Sequence, residues 1–246
     1  MKATRVTTSG ITLLVLLSGA WRASAQDPPP VQPPASKANC LAATTTELEF
    51  DHVRDGVLYV PKGHQEGRAT PLLVWLHGAG GSGNVSANLA ALADEFGFIV
   101  LAPDSREWTW GAILGNWEPD LEVLRRAMET TETRCAVDRE RIWLGGFSDG
   151  ASFSLSLGIS YGGVFKRVYA GSPGVMQPIA ANGKPAIFIS HGTSDQTMPI
   201  DDTSRRFVPR LKALGYDVTY REYAGRHQLP PEILREVIRW FATSDK

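Results

Sequence analysis

The 246-residue sequence lacks several features that mark large classes of protein. Lysine and arginine form no cluster and the formal net charge is −1, so we expect no nucleic-acid partner. Neither of the two cysteines, Cys40 and Cys135, has metal-ligand spacing with a histidine or with the other cysteine, so we expect no metal. With 43% hydrophobic and 21% charged residues, the composition is that of a globular protein, and the length suits one α/β domain.

The N-terminal apolar stretch, Ile11 to Leu17, is too short to cross roughly 30 Å of hydrocarbon at 1.5 Å per residue. Lys2 and Arg5 precede it, and the small residues Ala23-Ser24-Ala25 follow it. This order is typical of a secretory signal peptide. We therefore expect residues 1–25 to be removed, leaving a secreted or periplasmic protein without a stable membrane anchor.

Export would place both cysteines in an oxidising compartment, where they could pair. A bond between Cys40 and Cys135 would close a loop of about 95 residues, worth on the order of 4 to 5 kcal/mol. The sequence leaves the pairing open because it does not give the distance between the two Cα atoms.

Five prolines lie between Asp27 and Lys37, a composition that favours an extended polyproline II linker. We therefore predict a linker over residues 26–44 and a folded catalytic domain over residues 45–246.

Apolar runs and helical spacings alternate along that domain, which predicts βαβ units and a mostly parallel twisted sheet flanked by helices. The predicted strands are short pieces within Leu48–Val60, then Leu72–Leu76, Phe98–Ala102, Arg141–Leu144, Val168–Ala170, Ala186–Ile189 and Val218–Tyr223. The predicted helices are Asn84–Phe96, Pro119–Thr133, Asp149–Ile159, Ser204–Leu214 and Pro231–Phe241.

A G-x-S-x-G motif, Gly146-Phe147-Ser148-Asp149-Gly150, lies between a predicted strand and a predicted helix. A nucleophile exposed on such a sharp turn needs glycine two residues before and after it, because the backbone approaches closely there. Ser148 is therefore the candidate nucleophile. The alternative is a glycine-rich turn whose serine only caps the helix.

A serine hydroxyl needs a general base, and that base needs an orienting carboxylate. His227 lies in the late loop before the last helix, and Asp195 follows the strand Ala186–Ile189, so the chain order is Ser, Asp, His. His191, in the same loop as Asp195, is expected to shape that turn. Competing carboxylates are Asp201 and Asp202, expected to be helix N-terminal charges, and the more distant Asp104.

Small residues follow the buried strand Leu72–Leu76 and are suited to an oxyanion hole, which needs two backbone N–H donors. We assign these donors to Asp149 and Ala79, with Gly80 as the fallback. His77 is expected to shape this loop rather than to act as the base. A phosphate-binding loop is disfavoured because the glycines are not followed by a G-K-S/T ending.

Three tryptophans, Trp108, Trp110 and Trp117, follow the strand Phe98–Ala102 and could reach the edge of the sheet where ligands of such folds bind. We predict them as substrate-binding residues, with packing of the loop onto the body as the equal alternative. Trp75 and Trp143 lie in strands and are expected in the core.

Four motifs together resemble the bacterial phospholipase/carboxylesterase and dienelactone-hydrolase-like branch of the α/β-hydrolase superfamily. They are Trp75-Leu76-His77-Gly78-Ala79-Gly80, Gly145-Gly146-Phe147-Ser148-Asp149-Gly150, His191-Gly192-Thr193-Ser194-Asp195 and Gly225-Arg226-His227. Exported relatives in this broad group include polyhydroxyalkanoate-depolymerase-like and feruloyl-esterase-like enzymes. The resemblance implies a carboxylic-ester hydrolase with an acyl-enzyme mechanism, no cofactor, and a small-molecule or polymeric ester as substrate.

The chain departs from dienelactone hydrolases, which use a cysteine nucleophile where this sequence has Ser148. The interval from Ala170 to Ala186 is also too short for a large lid. Two alternatives stay open: a peptidase resembling the catalytic domain of prolyl oligopeptidases, and a non-catalytic binding protein that kept the fold.

Overall fold

The computed structural model describes residues 40–50 and 55–243. The predicted signal peptide, most of the predicted linker and His52 lie outside the described residues, so the domain boundaries stay predictions. None of the helices within the described ranges has the length and apolar character needed to span a membrane.

An eight-stranded sheet in the order β1-β2-β4-β3-β5-β6-β7-β8 forms the centre of the molecule. Strands β1 and β2 are antiparallel at one edge, and β3 to β8 run parallel to one another. The strands are β1 (Thr44–Glu47), β2 (Gly56–Val60), β3 (Thr70–Leu76), β4 (Ile99–Pro103), β5 (Val137–Phe147), β6 (Arg167–Gly171), β7 (Ala186–Gly192) and β8 (Val218–Tyr223). Because a parallel sheet places all strand ends of one kind at one edge, the loops after β3, β5, β7 and β8 meet there.

Five α-helices of the described residues cover the two faces of this sheet. They are α1 (Ala87–Phe96), α2 (Glu118–Arg134), α3 (Asp149–Ser160), α4 (Ser204–Ala213) and α5 (Pro231–Ala242), with a short 3₁₀ helix at Gly111–Leu114. Alternate residues of β3 divide between two cores: Leu72 belongs to the core with α2, α3 and α4, and Leu73 to the core with α1 and α5. Buried Trp143 lies in the second core, and the partly buried Trp75 packs against it.

The predicted element bounds differ from the observed ones mainly at two strands: β1 (Thr44–Glu47) lies before the predicted region Leu48–Val60, and β5 begins at Val137 rather than Arg141. In β5, Val137 is followed by four charged residues, so the start of the strand lacks the apolar run that predicts a buried strand, but Val137 pairs with Thr70 of β3. Helix α1 begins later than predicted because the Ser86 side chain accepts a hydrogen bond from the Leu89 N–H.

The two cysteines form a disulfide, a pairing that the sequence left open. The Cα atoms of Cys40 and Cys135 lie 5.0 Å apart, and both side chains are buried. The bond joins the chain ahead of β1 to the residue that follows α2, and so attaches the antiparallel edge of the sheet to its parallel body.

Candidate active site

Ser148 occupies a strained turn between β5 and α3. Its φ of 59° and ψ of −121° lie in a region that residues with a side chain rarely adopt. The backbone is also crowded: a Cβ atom on Gly146 would lie 2.6 Å from the Gly150 carbonyl, and one on Gly150 would lie 2.5 Å from the His77 carbonyl oxygen. Both glycines of the motif are therefore required by the close approach of neighbouring backbone.

Ser148, His227 and Asp195 form one line of hydrogen bonds at the carboxyl edge of the sheet. The Ser148 Oγ lies 2.8 Å from Nε2 of His227, and the His227 Nδ1 lies 2.7 Å from Oδ2 of Asp195. Because an ionised carboxylate only accepts, Nδ1 carries the proton and Nε2 is free to accept from the serine. The structure thus brings together the three side chains that the sequence singled out from separate loops.

Asp195 is held in its ionised form. Its Oδ1 accepts hydrogen bonds from the backbone N–H groups of Thr197 (3.0 Å) and Met198 (2.9 Å). Burial alone would raise the pKa of Asp195, but the bonds from Met198 and His227 outweigh it, so the pKa is lowered below its ordinary value. A charged carboxylate is what an imidazole needs in order to stay oriented and to accept a second proton.

A second histidine, His191, holds the loop between β7 and α4 that carries Asp195 and Met198, here called the acid loop. Its Nδ1 accepts from the Ser204 hydroxyl at 2.7 Å, and its Nε2 donates to the Met198 carbonyl at 2.8 Å while lying 3.3 Å from Asp195. The side chain is fully buried, and this burial lowers the pKa of His191. It therefore supports the turn as a neutral group, in agreement with the role predicted for it.

The competing carboxylates have other partners. Asp201 and Asp202 are exposed and pair with Arg205 and Arg206 at the start of α4. Asp104 accepts from the Gly83 N–H at 2.7 Å, in the loop region after β3. The carboxylate that reaches His227 is that of Asp195.

The loop after β3 lies against Ser148. A Cβ atom on Gly78 would be 3.3 Å from the Ser148 Cβ, and the Gly78 carbonyl accepts from His77 Nδ1 (2.8 Å) and from the Gly81 N–H (3.0 Å). In a trans peptide the C=O of Gly78 and the N–H of Ala79 point in opposite directions. Fixing the carbonyl therefore fixes the direction of the Ala79 donor.

The fallback donor, Gly80, is a correction to the sequence-based assignment. Its N–H already donates to the Trp108 carbonyl oxygen at 2.7 Å, so it is not available to an oxyanion.

The three tryptophans have different environments, and the expectation that all three bind substrate is wrong for Trp110. Trp110 has no exposed surface; its ring packs on Phe153 and its Nε1 donates to the His77 carbonyl at 2.8 Å. Trp117 is partly buried and meets Phe153 edge-on, as the packing alternative predicted. Trp108 is 70% exposed and lies against Gly80, so of the three it offers the most surface that a substrate could contact.

Sequence reasoning missed two contacts that the loop after β4 makes with Asp149 and with His77. The Thr109 hydroxyl donates to the Asp149 carboxylate at 2.5 Å, and the Ser105 N–H donates to His77 Nε2 at 3.1 Å. Both bonds come from the loop after β4 and link residues far apart in the sequence. No local motif marks such contacts, so only the folded arrangement reveals them.

A cluster of metal ligands was not predicted. Among residues 40–50 and 55–243, no group of three or more His, Cys, Asp or Glu side chains is arranged to hold an ion.

The sheet order and the turn at Ser148 define the α/β-hydrolase fold, and this class is confirmed by solved structures of low sequence identity. FphF, a fluorophosphonate-binding serine hydrolase of Staphylococcus aureus, has a TM-score of 0.65 at 12% identity, covering 82% of this chain and all of that one. The ferulic acid esterase AmCE1/Fae1A of Anaeromyces mucronatus has a TM-score of 0.56 at 17% identity, covering 76% and 84% of the two chains.

The chain belongs to the phospholipase/carboxylesterase family, which residues 120–244 match. It is 25% identical over 177 residues to the "Probable feruloyl esterase C" of Aspergillus terreus, covering 67% of this chain and 64% of that protein. It is 33% identical over 111 residues to acyl-protein thioesterase 1 of Gibberella zeae, covering 40% of this chain and 46% of that one. The aligned parts thus span roughly half to two thirds of these relatives, and the family predicted from the four motifs is confirmed.

Proposed function

We propose that this protein is a serine hydrolase that cleaves carboxylic esters through an acyl-enzyme intermediate. The observation that carries the proposal is the unbroken line of hydrogen bonds from the Ser148 hydroxyl through the His227 ring to the Asp195 carboxylate. Family membership and the likeness to esterase structures support the same chemistry.

The catalytic cycle has two halves. His227 Nε2 takes the Ser148 proton as the oxygen attacks the ester carbonyl, and the tetrahedral oxyanion accepts from the backbone N–H groups of Ala79 and Asp149. His227 then gives the proton to the departing alcohol, leaving the acyl group on the serine. Water, deprotonated by the same imidazole, repeats the attack and releases the acid.

The substrate class follows from the relatives and from Trp108. One relative is named a feruloyl esterase and another an acyl-protein thioesterase, so aromatic esters and thioesters are the first compounds to test. The exposed indole of Trp108 beside the oxyanion loop offers a flat apolar surface to the substrate. We propose a small-molecule or polymeric ester as the substrate.

Replacing the nucleophile tests the proposal. We expect Ser148→Ala to lose hydrolysis of a short p-nitrophenyl ester by about 10⁴-fold or more and to lose labelling by a fluorophosphonate, while thermal unfolding stays cooperative. Ser154→Ala is the matched control, because Ser154 is another buried serine of α3 and its hydroxyl has no partner within the described residues.

Three outcomes would overturn it. Full turnover in Ser148→Ala would remove this serine from the mechanism. Absence of labelling in the parent would favour the binding protein of the same fold. Cleavage of peptides in preference to esters would favour the prolyl-oligopeptidase-like alternative.

We also propose that the protein is exported. The predicted signal peptide and the Cys40–Cys135 disulfide support this, since disulfides persist in oxidising compartments. We expect mass spectrometry of the protein, expressed with its own N-terminus in a bacterial host, to find a mature chain that begins at Gln26. An uncleaved chain that stays in the cytoplasm would contradict export.

A further inference from the structure

Three buried serines recur every four residues along α3, directly after the nucleophile. They are Ser152, Ser156 and Ser160, and we call them the serine ladder. Each hydroxyl donates to the carbonyl four residues before it: Ser152 to Ser148 at 3.2 Å, and the next two at 2.8 Å. The first member is therefore bonded to the backbone of the nucleophile itself.

The same hydroxyls accept hydrogen bonds from the chain that follows β6. Ser152 accepts from the N–H groups of Gly174 (2.8 Å) and Val175 (3.2 Å). Ser156 and Ser160 accept in the same way from Gln177 (2.9 Å) and Ile179 (3.1 Å). Residues 174–179, here the ladder-bound segment, thus run along the helix with donors held at 174, 175, 177 and 179.

Helix stability does not explain these serines. Alanine is the better helix former, and a serine inside a helix competes with the backbone for hydrogen bonds. Residues 174–179 belong to no helix and no strand, so their N–H groups have no partner in a regular helix or sheet ladder. Because an unpaired buried N–H is costly, the hydroxyls supply acceptors that a neighbouring strand would otherwise supply.

The ladder-bound segment lies beside the candidate active site. Strand β6 neighbours β5 on the side opposite β3, so the segment and the oxyanion loop flank Ser148 from two sides. The Ser148 N–H donates to the Gly171 carbonyl at 2.9 Å, at the end of β6. Gly174 lies against Met198, since a Cβ there would be 3.0 Å from the Met198 methyl carbon, and Met198 belongs to the acid loop.

We propose that Ser152 is a positioning residue that fixes the ladder-bound segment as a rigid wall of the substrate cleft. This inference rests on the proposed esterase function. Ser152 joins the nucleophile's carbonyl to the first two amides of the segment, so it sets the distance between the wall and Ser148. The wall takes the place that a lid would occupy, and it limits the size of the ester group that can lie on this side of the serine.

The experiment compares the two ends of the ladder. Ser152→Ala leaves two amides without their acceptor next to the nucleophile, whereas Ser160→Ala leaves one at the far end of the helix. Both variants are assayed with a short acetyl ester and a bulky aromatic ester of the same alcohol. Backbone amide exchange is measured in parallel.

We expect Ser152→Ala to change the ratio of kcat/KM for the bulky ester to that for the short ester about tenfold, mainly through KM. We expect exchange at Gly174 and Val175 to speed up by about tenfold or more. Ser160→Ala should leave the ratio unchanged and release only the amide of Ile179. Ser152→Cys, which keeps the size but weakens the acceptor, serves if Ser152→Ala does not fold.

Two outcomes would refute the proposed role of Ser152. One is an unchanged ratio of kcat/KM for the two esters in Ser152→Ala, and the other is an equal change of this ratio in Ser152→Ala and Ser160→Ala. A parent that hydrolyses neither ester refutes the proposed function instead, and amide exchange then decides the wall alone. The wall is supported if the amides of Gly174 and Val175 exchange slowly in the parent and rapidly in Ser152→Ala. It is rejected if they already exchange rapidly in the parent.

Discussion

The two halves of the sheet contribute different kinds of group to the candidate site. The loops after β5, β7 and β8 supply side chains: a hydroxyl, a carboxylate and an imidazole. The loops after β3 and β4 supply mainly backbone, which Thr109, Trp110 and His77 hold in place. The family match at residues 120–244 covers the half that supplies the side chains and stops short of the other half.

Side-chain groups and backbone groups constrain the sequence in different ways. A side chain that takes part in a reaction requires one residue type at its position, so related sequences are expected to agree there. A backbone donor fixes only a conformation, which many sequences can provide. We therefore expect residue types to be less constrained in the half that precedes the family match.

The largest effect that separates the halves should come from Asp195→Asn. The amide can donate to His227 Nδ1 and so favours the wrong imidazole tautomer, and we expect kcat to fall by about 10³- to 10⁴-fold. Steady-state kinetics with a p-nitrophenyl ester measures the loss, and urea unfolding checks the fold. Asp201→Asn, at an exposed aspartate that pairs with Arg205, is the control. A loss of less than tenfold in Asp195→Asn would mean that the carboxylate is dispensable.

The next largest effect should be on the free energy of unfolding, with little change in kcat. Removing the disulfide with Cys40→Ser and Cys135→Ser together should lower the free energy of unfolding by about 2 to 5 kcal/mol, because the unfolded chain regains its freedom. Since neither cysteine touches the three side chains of the site, kcat below the unfolding temperature should change less than twofold. A fall in kcat together with the loss of stability would show that the antiparallel edge of the sheet, β1 and β2, affects the geometry of the candidate site. The comparison between the two halves of the sheet would then be wrong.

The smallest expected effect is on the pH dependence of stability and concerns His191. This residue lies in the half of the sheet that supplies the side chains, but its role is structural. Its folded-state pKa is below the ordinary 6.5, so the unfolded chain binds a proton that the native protein resists. The stabilisation is complete above about pH 6.5 and decreases below it, by at most about 1.4 kcal/mol per pH unit, until the folded pKa is reached. Urea unfolding at pH 7.5 and 5.5 measures the decrease, and His191→Gln should make it smaller. Equal decreases in parent and variant would show that His191 does not titrate on unfolding.

Much of this arrangement could be predicted from the sequence. The buried parallel strands are continuous apolar runs, and the strand–glycine–serine–glycine–helix order at Ser148 has one simple explanation. Asp195 and His227 follow from chain order, because each comes directly after a strand whose carboxyl end must lie at the same edge. Local pattern and topology agree at these positions.

Other residues could not be predicted, because their roles depend on packing. Trp108 and Trp110 are two residues apart in one loop, yet one is 70% exposed and the other has no exposed surface. Hydropathy treats them alike, and the contact of Trp110 with Phe153 and its hydrogen bond to the His77 carbonyl separate them. The bond from Thr109 to Asp149 and the serine ladder are equally invisible, since each hydroxyl meets a distant partner in the sequence.

The left-handed φ of Ser148 has a consequence for protein engineering. A conformation of this kind costs of order 1 to 3 kcal/mol for a residue with a side chain, and glycine adopts it far more readily. A chain chosen only for resistance to heat would therefore replace this serine first. The candidate nucleophile thus lowers the stability of the fold, so screens for thermal tolerance in this scaffold should be paired with a turnover assay.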